Sequence, residues 1–81
     1  MTKLEQKFIE LGYEYIEVWI PFGVFYRKRF GEYFILEICT DLKKKEVCEH
    51  KVIQIIRTIV DTTPAYNEMQ KDLEVLKNVK D

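Results

Sequence analysis

The chain has few of the residues from which metal centres and nucleophilic active sites are built. It contains one histidine, His50, and two cysteines, Cys39 and Cys48. A structural zinc site takes four Cys or His ligands, so an intrachain zinc site is not expected. One histidine and two cysteines also cannot supply a nucleophile, a base and an orienting group together. We therefore expect no metal, no cofactor and no enzymatic activity, with an ordinary thiol at Cys48 and a surface side chain at His50.

The chain also lacks a long apolar run and an excess of charge of either sign. Thirteen basic and fourteen acidic residues give a net charge of -1, so no overall field draws the protein to nucleic acid or to an anionic membrane. The best candidate for a membrane span, residues 52–60, is far too short to cross a bilayer, and no apolar signal-peptide core follows Met1. We expect a cytoplasmic protein without a membrane partner, in which both cysteines stay reduced.

The residues that are present indicate a small folded domain. Apolar residues make up 47% of the 81-residue chain, which is enough for a core and excludes the disordered class. A chain of this length is expected to form a single domain, 1–81. The order of its patterns predicts an α+β fold with an N-terminal helix, an antiparallel β-meander of three to four strands, and C-terminal helices.

Residues 2–11 predict a short helix. Leu4, Phe8 and Leu11 recur at helical spacing, Thr2 can cap the first turn, and Gly12 is a good stop. After the glycine the content of β-branched and aromatic residues rises, which predicts strands over residues 13–20, 23–30 and 33–40.

A two-residue turn is expected between the second and third strands at Gly31-Glu32, because a type II′ turn takes glycine first. Directly opposed residues share a face, so this turn places Tyr26 and Lys28 on the same face as Ile35 and Cys39. The other face then carries Phe25, Arg27, Arg29, Phe34, Leu36 and Ile38. Neither face is cleanly polar, so either helices cover part of both faces or one face contacts a partner.

Residues 41–60 admit two interpretations. In the first, residues 41–44 form a turn and residues 45–51 a fourth strand, with Cys39 opposite Cys48. In the second, Asp41 caps one long helix that runs to Val60. We prefer the strand.

The remaining segments predict helices. The apolar spacing of residues 52–60 favours a helix, and its largely apolar circumference suits either the core or the seam of a homodimer. Thr63 and Pro64 predict the start of a C-terminal helix over residues 64–78. Its buried stripe is predicted to contain Tyr66, Met69, Leu73 and Leu76.

The most concentrated feature of the sequence is Phe-Tyr-Arg-Lys-Arg-Phe at residues 25–30. Basic residues interleaved with aromatics on a strand can hold a nucleic-acid backbone and stack bases, and Lys43–Lys45 could add phosphate contacts. Alternatively, the aromatic side chains pack into the core, while the charged side chains face water and prevent an edge strand from pairing with another chain. The nearly neutral overall charge favours this second interpretation, since backbone affinity depends on neutralising phosphates.

Ten of the eleven aromatic side chains lie within the first 34 residues. A domain of this size cannot easily bury all ten, and Tyr, Trp and Arg are the residue types that dominate interface energetics. We therefore predict a partner-binding surface on the β-meander, formed by Tyr15, Trp19, Tyr26, Arg27, Arg29 and Tyr33.

Four segments, which together cover most of the chain, have a recognisable pattern. They are the helix that leads into Leu11-Gly12-Tyr13-Glu14, the strand with Tyr26-Arg27-Lys28, the hairpin 34–47 around Asp41–Lys45, and the closing amphipathic helix. In these segments the chain resembles small accessory proteins that are encoded by phages and mobile elements of Gram-positive bacteria. The resemblance implies a helix, a meander and a C-terminal helix. It also implies action by binding and blocking a host component, including defence nucleases such as CRISPR effectors (anti-CRISPR activity).

Two functional hypotheses follow from these patterns. The first is a stoichiometric protein-binding module, an inhibitor or adaptor of a mobile element that acts on a host protein such as a defence nuclease. The alternative is a nucleic-acid-binding domain that uses the basic-aromatic strand 25–30. A homodimer is compatible with both.

Overall fold

The fold is an antiparallel sheet with a helix before it and a helix after it. The computed structural model describes residues 2–55 and 62–79. In chain order the elements are α1 (Lys3–Glu10), β1 (Glu14–Trp19), β2 (Gly23–Phe30), β3 (Phe34–Asp41), β4 (Val47–Gln54) and α2 (Thr63–Lys77). The strand order β1-β2-β3-β4 makes the sheet a meander. The predicted α+β class is confirmed, although within the described residues one helix follows the sheet where several were expected.

Helix α1 begins after the capping residue Thr2 and ends before Gly12, as the sequence predicts. The Thr2 hydroxyl accepts a hydrogen bond from the Glu5 amide at 3.1 Å, which satisfies one of the unpaired donors of the first turn. Gly12 follows the helix with a φ of +87°, a conformation that glycine adopts without steric cost. The chain then enters β1 directly, with the Tyr13 amide bonded to the Phe8 carbonyl at 2.9 Å.

The core lies between the two helices and one face of the sheet. The Phe8 ring is fully buried and stacks on the Tyr26 ring, with centroids 3.9 Å apart and an interplanar angle of 4°. Helix α2 buries Met69 and Leu73 of its predicted stripe, whereas Tyr66, which was expected there, is exposed. The buried cluster consists of Leu4, Phe8, Tyr13, Tyr26, Phe30, Leu36, Ile38, Met69, Leu73 and Leu76.

The predicted register between β2 and β3 is wrong by one residue. Phe30 pairs with Phe34, so the turn contains residues 31–33, with Gly31 at a φ of +60°. Because side chains alternate along a strand, a shift of one residue moves every side chain of β3 to the opposite face. The face beneath the helices therefore carries Val24, Tyr26, Lys28 and Phe30 of β2 with Phe34, Leu36, Ile38 and Thr40 of β3.

The strand interpretation of the residues after Asp41 is confirmed, with β4 at Val47–Gln54 where residues 45–51 were expected. Residues 52–54 therefore lie in a strand, so the helix predicted over 52–60 is wrong for this part, and residues 56–60 of that prediction lie outside the described residues. Apolar spacing alone does not separate a short helix from a strand. Here the Ile53–Ile35 pairing completes the ladder, and the β-branched side chains suit it.

An ion pair joins α2 to the sheet. The Lys28 ammonium lies 2.8 Å from Oδ2 of Asp72, and the Tyr13 hydroxyl donates to the same oxygen at 3.0 Å. The Lys28 ammonium also lies 4.9 Å from the centroid of the Phe30 ring. Burial and the neighbouring Asp72 carboxylate raise the pKa of Tyr13, since both disfavour a phenolate at this position. The cluster fixes the helix against β2.

Candidate functional site

The sheet face opposite the helices is open: within residues 2–55 and 62–79, no helix packs against it. Its central row alternates in charge across all four strands, from Glu14 to Arg27, Glu37 and Lys51, each opposed to the next. Opposite charges directly across a strand pair stabilise it. This row is a mixed polar surface rather than a basic one.

An apolar and aromatic projection lies at one end of this open face. Ile20 is 83% exposed, Phe22 64% and Trp19 55%, and all three lie in or beside the turn between β1 and β2. Phe25 lies beside them on β2, with its ring centroid 6.1 Å from that of Trp19. We call these four residues the aromatic corner. A contiguous exposed apolar patch of this kind marks an interaction site more often than isolated surface apolar residues do.

The aromatic corner borders a depression of about 310 Å³. The rings of Trp19 and Phe22, 6.2 Å apart and tilted at 46°, form part of its wall. Gly23 follows directly, and a Cβ on this glycine would collide with the Thr40 carbonyl, so no side chain occupies that position. The depression is lined by Trp19, Phe22, Phe25, Cys39, Cys48 and Glu49.

The two cysteines meet at a β-bulge. Cys39 pairs with Glu49 and Thr40 with Val47, so Cys48 is the extra residue of β4. The predicted pairing of Cys39 with Cys48 is therefore wrong by one residue, although the thiols lie side by side, with Cys48 Sγ donating to the Cys39 carbonyl at 3.2 Å. Burial and the hydrogen bond with Cys48 raise the pKa of Cys39 to about 12, which keeps this thiol neutral at physiological pH.

This difference between the thiols predicts selective alkylation. Only the thiolate is nucleophilic, so at about pH 8 iodoacetamide should modify the exposed Cys48 about tenfold or more faster than the buried Cys39 in the folded protein. Peptide mapping by mass spectrometry measures both rates, and denaturant should make them similar. Equal rates in the folded protein would contradict the buried, neutral state of Cys39.

The predicted partner-binding residues are distributed over both sides of the sheet. Trp19, Arg27 and Arg29 lie on the open face, as their register requires. Tyr15 is exposed at the edge strand, but its ring packs edge-on against Tyr26 on the helix-covered side at 6.1 Å.

The other two predicted residues are less accessible. Tyr26 is only 8% exposed and stacks on Phe8, so we leave it out of the contact surface. Tyr33 is half-buried in the turn at the far end of the sheet from Trp19. Five residues that line the depression were not predicted from the sequence to belong to this surface, because only the strand register brings them together. They are Phe22, Phe25, Cys39, Cys48 and Glu49.

The basic residues of strand 25–30 point to opposite faces of the sheet. Lys28 lies on the helix-covered face and pairs with Asp72, whereas Arg27 lies on the open face 3.9 Å from Glu14. The turn lysines are held by Asp41, whose Oδ1 accepts hydrogen bonds from the amides of Lys43 and Lys44 at 2.8 Å. These bonds lower the pKa of Asp41. Residues 25–30 therefore do not present three cations on one surface.

The fold and this surface together define a small α+β domain whose antiparallel sheet has one helix-covered face and one open face. Neither helix in the described ranges has the length and apolar character needed to cross a bilayer. Across the same ranges, no three His, Cys, Asp or Glu side chains are grouped so that they could hold a metal ion. The chain matches no protein-family model, no curated protein and no solved structure.

Proposed function

We propose that this protein is a non-enzymatic, stoichiometric protein-binding module that contacts its partner through the aromatic corner and the adjoining open face. The observation that carries the proposal is the exposure of Trp19, Ile20 and Phe22 together at one end of the sheet. Keeping three large apolar side chains in water forgoes the stabilisation that burial would give, about 1.5–3 kcal/mol for each. A partner surface would supply that burial.

The surroundings of the aromatic corner suit an interface with a protein. Interfaces combine a central group of aromatic anchors with a polar rim. Here Arg27 and Arg29 are exposed on the same face as the aromatic corner, and Glu37 and Lys51 continue the charged row beside them. The mixed signs of this rim fit a protein surface better than a phosphate backbone, which requires positive charge throughout.

The narrower proposal concerns the identity of the partner. We propose a host protein, such as a defence nuclease that the module inhibits, and a mobile-element origin for the chain. Support for this step comes from the resemblance of the chain to small accessory proteins of phages and mobile elements. The aromatic corner supports a protein partner in general and does not depend on that origin.

Truncating the aromatic corner should abolish partner capture while the fold is kept. Removal of two interface anchors costs about 2 kcal/mol or more, which is about a 30-fold loss of affinity. The test compares the wild-type protein with the double variant Trp19→Ala/Phe22→Ala, each immobilised and exposed to bacterial lysate with and without nuclease. A partner that is captured by the wild type, survives nuclease and is lost with the double variant is the expected result.

A matched control makes this result specific. Tyr66→Ala removes an aromatic side chain of similar exposure from α2, away from the aromatic corner, and should capture the partner as the wild type does. Urea denaturation of both variants checks that they remain folded. Retention of the partner by the double variant would exclude the aromatic corner as the contact surface. Captured material that disappears on nuclease treatment would favour nucleic-acid binding instead.

A further inference from the structure

We propose that the depression beside the aromatic corner receives an alkylammonium group, the side chain of a lysine on the partner protein. This inference rests on the proposed protein-binding function and adds the chemistry of the group that is recognised. Three features of the depression carry it: the arrangement of its rings, the Glu49 carboxylate in its wall and the neutral surface beside that carboxylate.

The aromatic rings around the depression are inclined to one another and form its walls, rather than lying parallel in a stack. Trp19 and Phe25 meet at 78° with centroids 6.1 Å apart, and Trp19 and Phe22 meet at 46° with centroids 6.2 Å apart. A cation is attracted to an aromatic face when it lies within about 6 Å of the ring centroid. A group seated in the space that these rings border can satisfy this distance for more than one ring. Such an arrangement recognises ammonium groups.

One carboxylate, that of Glu49, lies in the wall of the depression. The strand register places Glu17, Phe25, Cys39 and Glu49 in one continuous row across the four strands. No ion pair engages Glu17 or Glu49 in the part of the chain that the structure describes. Glu17 lies at the far end of this row and lines a neighbouring depression with Arg27. Glu49 is therefore the carboxylate that attracts a cation here, and the attraction is strongest close to it.

The basic residues nearest this row line neighbouring depressions, Arg27 one that includes Glu17 and Lys51 one that includes Glu49. Arg27 and Lys51 both oppose Glu37 in the neighbouring row. Lys45 of the turn between β3 and β4 lines a cleft with Thr2 on the helix-covered side of the sheet. None of these three basic residues lines the depression itself. The charge that faces an incoming group there is therefore negative.

The wall of the depression beside Glu49 is neutral. Cys39 is buried and its thiol stays protonated at physiological pH, as shown above. At Gly23, opposite Trp19, a Cβ would come within 2.9 Å of Cys39 Sγ. The absence of a side chain there leaves the depression open beside the indole. The methylene groups of a lysine fit such an apolar surface while its ammonium remains near the Glu49 carboxylate.

Small amides test the inference without the partner. Trp19 is the only tryptophan of the chain, so its fluorescence reports on this depression alone. N-acetyl-lysine amide and N-acetyl-trimethyllysine amide are titrated at low ionic strength, and N-acetyl-norleucine amide serves as the neutral analogue of similar length. We expect millimolar binding of both cations and at least about fivefold weaker binding of norleucine amide. Added salt should reduce this preference.

Two variants test which part of the protein produces the preference for lysine amide over norleucine amide. Glu49→Gln removes the negative charge in the wall with little change of shape and should lower the preference for lysine amide over norleucine amide by about threefold or more. Glu32→Gln removes an exposed carboxylate in the turn at the far end of the sheet and should leave the preference unchanged.

Each other outcome overturns the inference. Equal binding of norleucine amide and lysine amide would identify an apolar pocket, and an unchanged preference in Glu49→Gln would place the cation elsewhere. No fluorescence change with any amide would exclude a side-chain pocket at Trp19. All three outcomes are separate from the proposed function, because capture of a partner through the aromatic corner is measured independently with Trp19→Ala/Phe22→Ala.

Discussion

Replacing Phe8 with alanine should remove a large part of the stability of this protein. Phe8 is fully buried, stacks on Tyr26 at 3.9 Å and meets the ring of Tyr13 edge-on at 5.3 Å. Truncation of such a ring costs about 3–5 kcal/mol, because the transfer free energy is lost and a cavity remains. A domain of 81 residues has a total free energy of unfolding of about 4–12 kcal/mol. The variant should therefore unfold at a much lower urea concentration than the wild type.

Urea denaturation followed by circular dichroism measures this loss. The matched control is Ile9→Ala, because Ile9 is the next residue of α1 but is 60% exposed. Its truncation should change the free energy of unfolding by about 0.5 kcal/mol or less, as is usual for surface sites. A Phe8→Ala variant within about 1 kcal/mol of the wild type would mean that α1 does not pack on the sheet as described.

Local signals made the helices and the number of strands predictable. Thr2 and Gly12 bracket α1, and Thr63 with Pro64 marks the start of α2 within one residue of the predicted position. These features are encoded by neighbouring residues, so no knowledge of distant contacts is needed. The strands were recognisable from their β-branched and aromatic content for the same reason.

The strand register was not predictable, because it depends on the length of one turn. Gly31 suits both a two-residue and a three-residue connection, and each would place apolar side chains on both faces of the sheet. The choice is made by packing: with Phe30 opposite Phe34, Leu36 and Ile38 lie beneath the helices and are fully buried. Burial of two aliphatic side chains outweighs the small difference between turn types.

The candidate site depended on this register, which explains what sequence reasoning found and missed. Trp19 was identified because a domain of this size cannot easily bury ten clustered aromatic side chains, and tryptophan is a residue type that dominates interfaces. Tyr26 was chosen from its composition alone, and its ring lies in the core. Glu49 and Cys39 approach the aromatic corner only through pairing between β2, β3 and β4. A site formed across strands is a property of the register, not of any one segment.

The ion pair between α2 and the sheet gives the second large effect. Asp72→Asn keeps the shape of the side chain and an acceptor for the Tyr13 hydroxyl, but it leaves the Lys28 ammonium without a counter-charge. The side chains of Lys28 and Asp72 are only 25% and 13% exposed, so water replaces the lost interaction poorly. Removal of one partner from a pair at this depth is expected to cost about 2 kcal/mol, less than for a fully buried pair.

A double-mutant cycle distinguishes an unpaired charge from lost packing. Lys28→Met keeps the aliphatic contact with the Phe30 ring, so Lys28→Met/Asp72→Asn should be more stable than Asp72→Asn alone. Glu74→Gln on the exposed side of α2 is the control and should change the free energy of unfolding by about 0.5 kcal/mol or less. If the double variant were no more stable than Asp72→Asn, the contribution of Asp72 would not lie in neutralising Lys28. Restored stability would establish that Lys28 serves the core, and strand 25–30 would then offer a nucleic acid only the two arginines of the open face.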